Sequence, residues 1–329
     1  MNSSIRGLHI CCLTRITLGH DVKGGMEVHV DTLARGLASR GYRVSIVTTG
    51  RADGTQEETS DGVRTFYVAG TTPGRYSDAW GHALRNHLER LHAEDPIDVI
   101  WGEGAGAYYY LKWHRNPLDI PVVTFLQGTY LGELGTVWNL ARVSGEWRRL
   151  AHFVPWRTIQ YFRWDLWYTH GADAVIGASR ENAALARWGY LLPRHKVIPS
   201  INGVDVERFA PDPAAGRRLR QALDLPADVT VLLHCSRLES EKGAEISLRA
   251  FARLAASHPA ARLVVAGDGS QRDGLRALAA AVSGLLADPA ARERMGAAAR
   301  QKAVQALSAA RMADDVLAVF HQVASRNGA

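Results

Sequence analysis

Residues 24–49 read GGMEVHVDTLARGLASRGYRVSIVTT, and the pattern within them decides the fold. Met26, Val30, Leu33, Ala34, Leu37 and Ala38 recur at i, i+4, i+7, i+8, i+11 and i+12, a spacing that gathers apolar side chains on one face of a helix. Gly41 supplies the left-handed residue that ends such a helix, and Arg43 to Thr49 is a β-branched strand. Upstream, the apolar run Leu8 to Leu13 reads as another strand, joined to the helix by a glycine-containing loop that ends at Gly24-Gly25. Strand, helix and strand form a βαβ unit, and its right-handed crossover predicts a parallel sheet.

The same alternation continues downstream. Val63 to Val68, Ile97 to Trp101, Val122 to Phe125, Ala174 to Ile176 and Lys196 to Ile198 are strand candidates separated by helix-length segments, which is the plan of a doubly wound α/β domain. Ligands of such sheets bind beyond the carboxyl ends of the strands, so the loops after Leu13, Trp101 and Phe125 should surround one crevice. After Pro199 the run SINGVDVERFAPDP reads as a linker. A second unit begins with a strand at Val229 to Cys235, a helix at Ala244 to Ser257 and a strand at Arg262 to Ala266 that ends in Gly267-Asp268-Gly269. From Ala277 the chain is helical in composition, with Asp288-Pro289 placed as N-cap and first helical residue. The last helix carries Met312, Val316, Val319, Phe320 and Val323 on one face, which needs a partner surface. The predicted organisation is a first Rossmann-like domain over residues 1–200, a partial second domain over 201–280, and a helical tail over 281–329 that packs back on the first.

Composition narrows the function. The chain has 329 residues, 47% of them hydrophobic, with 39 basic and 33 acidic residues interspersed and a net charge of +6. There are no long Lys/Arg runs of the kind that bind nucleic acid, and an anionic substrate accounts for the excess. Cys11, Cys12 and Cys235 lie in apolar runs and read as core thiols of a reducing compartment. No stretch resembles a spanning helix or a signal peptide, which predicts a cytoplasmic protein. The histidines form no HExxH, and no DxD occurs, so neither a catalytic metal nor a cofactor is expected.

The segment Ser236-Arg237-Leu238-Glu239-Ser240-Glu241-Lys242-Gly243 places two cations between a strand and a helix N-terminus. Backbone N–H groups and the helix dipole favour an anion there, Arg237 can grip a phosphate bidentately, and Lys242 adds a point charge. An ordinary strand-helix loop with solvated charges would carry the same residues. At Gly24-Gly25 a tight turn and a close backbone approach to a ligand are both open. Glu103, after its strand, faces the predicted crevice and is a candidate contact for an acceptor hydroxyl, or else a helix cap or surface carboxylate. Trp138, Trp147, Trp156, Trp164 and Trp167 interleave with Arg148, Arg149, Arg157 and Arg163. That mixture suits a peripheral membrane contact or a carbohydrate stacked on rings, and amphipathic helices covering the sheet would use the same residues.

Taken together, GGMEVHVDTLARGLASRGYRVSIVTT, PVVTFLQGTYLGEL, ADAVIGAS, INGVDVERF, SRLESEKG, LVVAGDG and LLADPAARERMGAAAR resemble the retaining glycosyltransferases of the GT-B fold in the family that includes sucrose-phosphate synthases. The likeness runs from end to end. It implies two Rossmann-like domains, the second truncated, with a nucleotide diphosphate sugar as donor and an acceptor hydroxyl, carbohydrate, lipid-linked or small-molecule, on the N-terminal side. By the same comparison Arg237 and Lys242 match the residues that bind the donor diphosphate and stabilise the leaving group, and Gly24 and Gly25 approach it. Gln127 stands where many relatives have a His close to the sugar; an amide can hydrogen-bond a hydroxyl but carries no proton. The paired glutamates of the family, spaced Glu-x7-Glu in the second domain, are missing from this sequence. The likeness breaks at Ala280-Ala281, as if a contiguous segment had been excised. That loss leaves two readings, a transferase with altered activity or a non-catalytic relative that binds through its first domain. A nicotinamide-dependent dehydrogenase would need a GxGxxG after Leu13, which the sequence lacks.

Overall fold

The computed structural model describes residues 7–20, 24–114, 118–144, 147–239, 242–255, 258–269 and 289–326. The chain divides into two compact units, one formed by Met1–Val206 with Gln305–Ala329 and the other by Glu207–Val304.

The first unit is built on an eight-stranded sheet. Its strands are β1 (His9–Leu13), β2 (Arg43–Thr49), β3 (Glu57–Ser60), β4 (Val63–Val68), β5 (Val99–Glu103), β6 (Val122–Leu126), β7 (Ala174–Gly177) and β8 (Val197–Pro199). They lie in the order β3-β4-β2-β1-β5-β6-β7-β8. Every pairing is parallel except that of β3 with β4. The chain winds outward from β1 in one direction through β2 and β4, then returns and winds the other way from β5. The switch point therefore lies between β1 and β5, where a crevice opens at the carboxyl ends of the strands. β3 escapes the sequence reading because its four residues, Glu-Glu-Thr-Ser, are all exposed and carry no apolar alternation.

Alternation along the buried strands sends Ile10 and Cys12 to one face, and Cys11 and Leu13 to the other. The first face is covered by helix α1 (Gly25–Ala38) through Val30, Leu33, Ala34 and Leu37. Gly41 ends the α1 region with φ of +84°, the left-handed stop that its position required. The opposite face is covered by α2 (Asp78–Glu94), whose Trp80, Leu84, Leu88 and Leu91 point inward, and by α3 (Tyr108–His114). Ser77 caps α2 by accepting from the Trp80 N–H. Beyond β6 come α4 (Tyr130–Ser144), α5 (Trp147–Gln160), a π turn at Tyr161–Asp165, α6 (Leu166–Gly171) and, after β7, α7 (Arg180–Gly189).

The second unit opens with α8 (Pro213–Ala222) and holds β9 (Thr230–Cys235), α9 (Ala244–Ala255), β10 (Ala261–Ala266) and most of α10 (Pro289–Ala306). Among the described residues its sheet has two parallel strands, β10 and β9. The junction Ala280-Ala281 and the cap residue Asp288 lie outside the described residues. A sheet this narrow covers little: Leu233 and Ile246 are exposed, and the small apolar cluster consists of Leu254 and Ala261 with Leu232 and Phe251. Cys235 is likewise exposed. The expectation of a core thiol is corrected there, because among the described residues no layer packs over the end of β9.

The last helix, α11 (Ala309–Arg326), belongs to the first unit. Met312, Val316, Val319, Phe320 and Val323 are buried in the cluster that contains Ile10, Cys12, Leu33 and Trp101. Arg40 ties the helix down through Asp314 at 2.8 Å and the Ala310 carbonyl at 3.0 Å, and Tyr42 reaches His321 at 2.8 Å. Among the described residues no helix is long and apolar enough to cross a membrane.

Candidate functional site

In the first unit the candidate residues collect at the carboxyl edge of the sheet, around the switch point. Gly24 is the N-cap of α1 in an extended conformation, with no side-chain capping bond, and Gly25 is the exposed first residue of the helix. A Cβ at Gly25 would meet nothing within 4 Å, whereas one at Gly24 would lie 2.6 Å from a Glu27 carboxylate oxygen. The loop is thus packed at its first glycine and open at its second.

Glu103, the last residue of β5, is 1% exposed. It is not a surface carboxylate. Although it precedes the 3-10 turn at Gly104–Ala107, its side chain makes no capping bond. Its Oε2 accepts from the Trp101 indole N–H at 3.1 Å and lies 3.6 Å from Nε2 of His29, while Oε1 has no hydrogen-bond partner. Burial pushes the Glu103 carboxyl up to about 8, and the Trp101 indole N–H and the nearby Gln127 amide act in the opposite direction. His29 is 5% exposed, set against the rings of Trp101 and Phe125, and neither ring nitrogen has a hydrogen-bond partner. Burial lowers its imidazole to about 4. Near neutral pH the pair is a carboxylic acid beside a neutral imidazole, since an apolar pocket disfavours the charged form of each.

Gln127, half-buried after β6, carries this network outward. Asn202 donates to its Oε1 at 2.6 Å, and Asn182 donates to the Gln127 backbone carbonyl at 3.2 Å. The structure therefore joins Glu103 and Gln127 with His29 and Asn202, two residues that sequence reasoning missed. His29 was legible in one respect: it stands at i, i+4 and i+8 with Leu33 and Leu37, so it shares the inward face of α1. Asn202 offered no comparable sign, because its partner is 75 residues away.

The protonation of Glu103 should appear in stability. Its folded value lies above the ordinary carboxylate value, so the folded state holds a proton that the unfolded state has lost; stability falls as pH rises from about 4.5 to about 8. His29, shifted the other way, makes stability rise between about 4 and 6.5 and offsets part of this fall. In thermal melts, Glu103→Gln should match the parent near pH 5 and exceed it increasingly up to pH 8.5, by a slope approaching about 1.4 kcal/mol per pH unit. A difference that stays constant across this range would contradict the buried neutral acid.

In the second unit the cationic pair sits at the carboxyl ends of β9 and β10. Two backbone bonds strap the loop after β9 to the turn after β10, from Ser236 N–H to Ala266 O at 3.1 Å and from Leu238 N–H to Asp268 O at 2.8 Å. Gly267 makes this approach possible, since a Cβ there would fall 1.8 Å from the Ser236 carbonyl oxygen. Gly243, with φ of +67°, turns the chain directly into α9. Arg237 and Lys242 are both exposed at that helix entrance, with Ser240 and Glu241 between them outside the described residues. Two exposed cations at one helix entrance are the arrangement that would suit an anion. Among the described residues no group of three or more His, Cys, Asp or Glu is arranged to hold a metal ion.

Comparison with known proteins agrees with this architecture. The profile of Glycosyltransferase Family 4 matches residues 23–208, more than half of the chain, and that of Glycosyl transferases group 1 matches residues 217–283. A glycogen synthase of Mycobacterium tuberculosis is 30% identical over 276 residues, covering 77% of this chain and 60% of the relative. The chain thus spans about 60% of that relative's length. The structure of a sucrose-phosphate synthase from Thermosynechococcus elongatus superposes with a TM-score of 0.57 at 19% identity, covering 96% of this chain and 73% of that one. HepE of Anabaena, solved in complex with UDP-glucose, superposes with a TM-score of 0.52 at 16% identity, covering 91% of this chain and 66% of that one. At these identities the likeness to solved structures concerns the GT-B fold. With more than half of its length matched by one family profile, the chain belongs to glycosyltransferase family 4.

Proposed function

We propose that the protein transfers a sugar from a nucleotide diphosphate donor to an acceptor hydroxyl, with retention of anomeric configuration and without a metal. The observation that carries this reading is the pair Arg237 and Lys242 at the entrance to α9, beside a glycine turn strapped close to them. Positive charge fixed at that place would stabilise the charge that develops on a departing nucleoside diphosphate, which is what a metal would otherwise do. The UDP-glucose held by HepE supports a nucleotide sugar as the donor class, and the glycogen synthase relative supports a carbohydrate acceptor. Gln127, fixed by Asn202, is suited to hydrogen-bond a sugar hydroxyl. We infer a cytoplasmic site of action, where nucleotide sugars are made.

One observation favours a second reading. The sequence has no Glu-x7-Glu pair, and the second unit has a two-stranded sheet among the described residues, so a non-catalytic protein that binds an acceptor or partner through its first unit is the alternative. The two separate in one assay. Incubation with UDP-, ADP- and GDP-hexoses and a panel of sugar acceptors should release nucleoside diphosphate, and NMR of the product should show the donor's anomeric configuration. Binding of an acceptor or partner with no nucleotide release would favour the second reading, and an inverted product would overturn retention.

A further inference from the structure

Large apolar side chains are exposed along the helices that follow β6 in the first unit. Five of the nine tryptophans of the chain, Trp138, Trp147, Trp156, Trp167 and Trp188, are 49% to 69% exposed. The expectation that these helices serve mainly to cover the sheet is corrected by this exposure. Trp164 does pack inward, against Tyr108 with ring centroids 4.2 Å apart, but its neighbours point away from the core.

The exposure follows a helical pattern. Trp156, Ile159, Arg163 and Trp167 fall at i, i+3, i+7 and i+11 along α5, the π turn and α6, with Phe162 beside them, and all five are exposed or nearly so. The helix is anchored from behind. Buried Asp165 accepts from the Tyr168 hydroxyl at 2.8 Å and the Tyr130 N–H at 3.0 Å, and also bonds the Tyr190 hydroxyl. On one flank the Tyr161 hydroxyl donates to the Gly189 carbonyl at 2.7 Å, which sets Trp188 and Leu191 next to the stripe. Leu191 is 78% exposed with φ of +56°, a leucine presented to solvent in a conformation that normally favours glycine. Apart from the stripe, half a turn round α5 from Trp156, Trp147 meets Trp138 of α4 edge to face at 5.7 Å.

Charge says what this face meets. Between Trp138 and Trp167 the sequence has five arginines and two carboxylates, Glu146 and Asp165; Asp165 is buried beneath the helix, and Arg157 is paired with Glu133, while Arg142 and Arg163 are exposed. Tryptophan with arginine on a rigid, outward apolar stripe matches the boundary of a lipid bilayer, where indoles sit at headgroup level and cations meet anionic headgroups. Exposed large apolar side chains in a stripe mark an interaction surface, and the excess of arginine over exposed carboxylate along it suits an anionic one. We propose that the face formed by α5, the π turn and the end of α7 docks the protein on an anionic membrane surface. This inference does not depend on the transfer reaction.

The test uses the full chain and vesicles of phosphatidylcholine, alone or mixed equally with phosphatidylglycerol. The chain should sediment with the mixed vesicles and much less with the neutral ones, and its tryptophan emission should shift to the blue. Trp156→Ser combined with Phe162→Ser should weaken that partition about tenfold or more while leaving the melting temperature unchanged, because both side chains are exposed. Arg163→Glu alone should also weaken it and reduce its dependence on salt. Failure to sediment with anionic vesicles, or undiminished partition of both variants, would overturn the proposal. So would self-association of the parent chain that the double variant abolishes, since a second copy would then be the occupant.

Discussion

A chain ending at residue 308 is expected to lose the native structure of the first unit. α11 begins more than 180 residues after β5 and β6, yet Met312, Val316, Val319, Phe320 and Val323 fill the same cluster as Ile10, Cys12, Leu33 and Trp101. Burying a large apolar side chain contributes about 1.5–3 kcal/mol, so the five together contribute roughly 8–15 kcal/mol. That is comparable with the whole stability of a typical domain, about 5–15 kcal/mol, before the uncovered face of the sheet is counted. The truncated chain should be insoluble or lack a cooperative melt. Phe320→Ala, a milder change at a fully buried position, should cost about 3–5 kcal/mol and leave a folded protein with a lower melting temperature. Unchanged melting of the chain truncated at residue 308 would show that α11 is dispensable.

Neutralising Arg237 and Lys242 together is expected to abolish donor binding while leaving the fold intact. Both side chains are exposed at the entrance to α9, so their removal should cost little stability. A hydrogen bond to a charged group contributes about 1.5–3 kcal/mol, and losing one from each residue amounts to about 3–6 kcal/mol, or roughly two to four orders of magnitude in Kd. Arg262→Ala is the matched control: it removes a cation of the same unit whose guanidinium bonds the Pro259 and Ala261 carbonyls, away from the helix entrance. Equal loss in the control would point to a general charge effect and away from a diphosphate site.

Much of the fold was legible because it is written in local periodicities. The α1 stripe, the left-handed Gly41 and the apolar runs of β1, β2, β5 and β6 needed only neighbours in the chain to be read. β3 was not legible, since an exposed edge strand of polar residues has no pattern that distinguishes it from a loop. Cys235 misled for a related reason. An apolar strand predicts burial on both faces only if the domain supplies both layers, and among the described residues the end of β9 is left exposed. The aromatic segment misled in the opposite sense, because side-chain identity showed amphipathic helices but not which face turned outward. At the site, the cations of the second unit were visible as a motif. The Glu103–His29 pair and the Gln127–Asn202 bond depend on strands and loops brought together by the switch of winding at β1 and β5, which single residues do not announce.

The direct test of the central claim is a calorimetric titration of the full chain with UDP, ADP and GDP, at a protein concentration of about 100 µM, alongside the Arg237→Ala, Lys242→Ala double variant. At least one diphosphate should bind at a single site with a Kd in the range of about 1–100 µM, and that binding should vanish in the folded variant. No heat with any of the three, or equal affinity of the variant, would contradict a nucleotide diphosphate site at the entrance to α9.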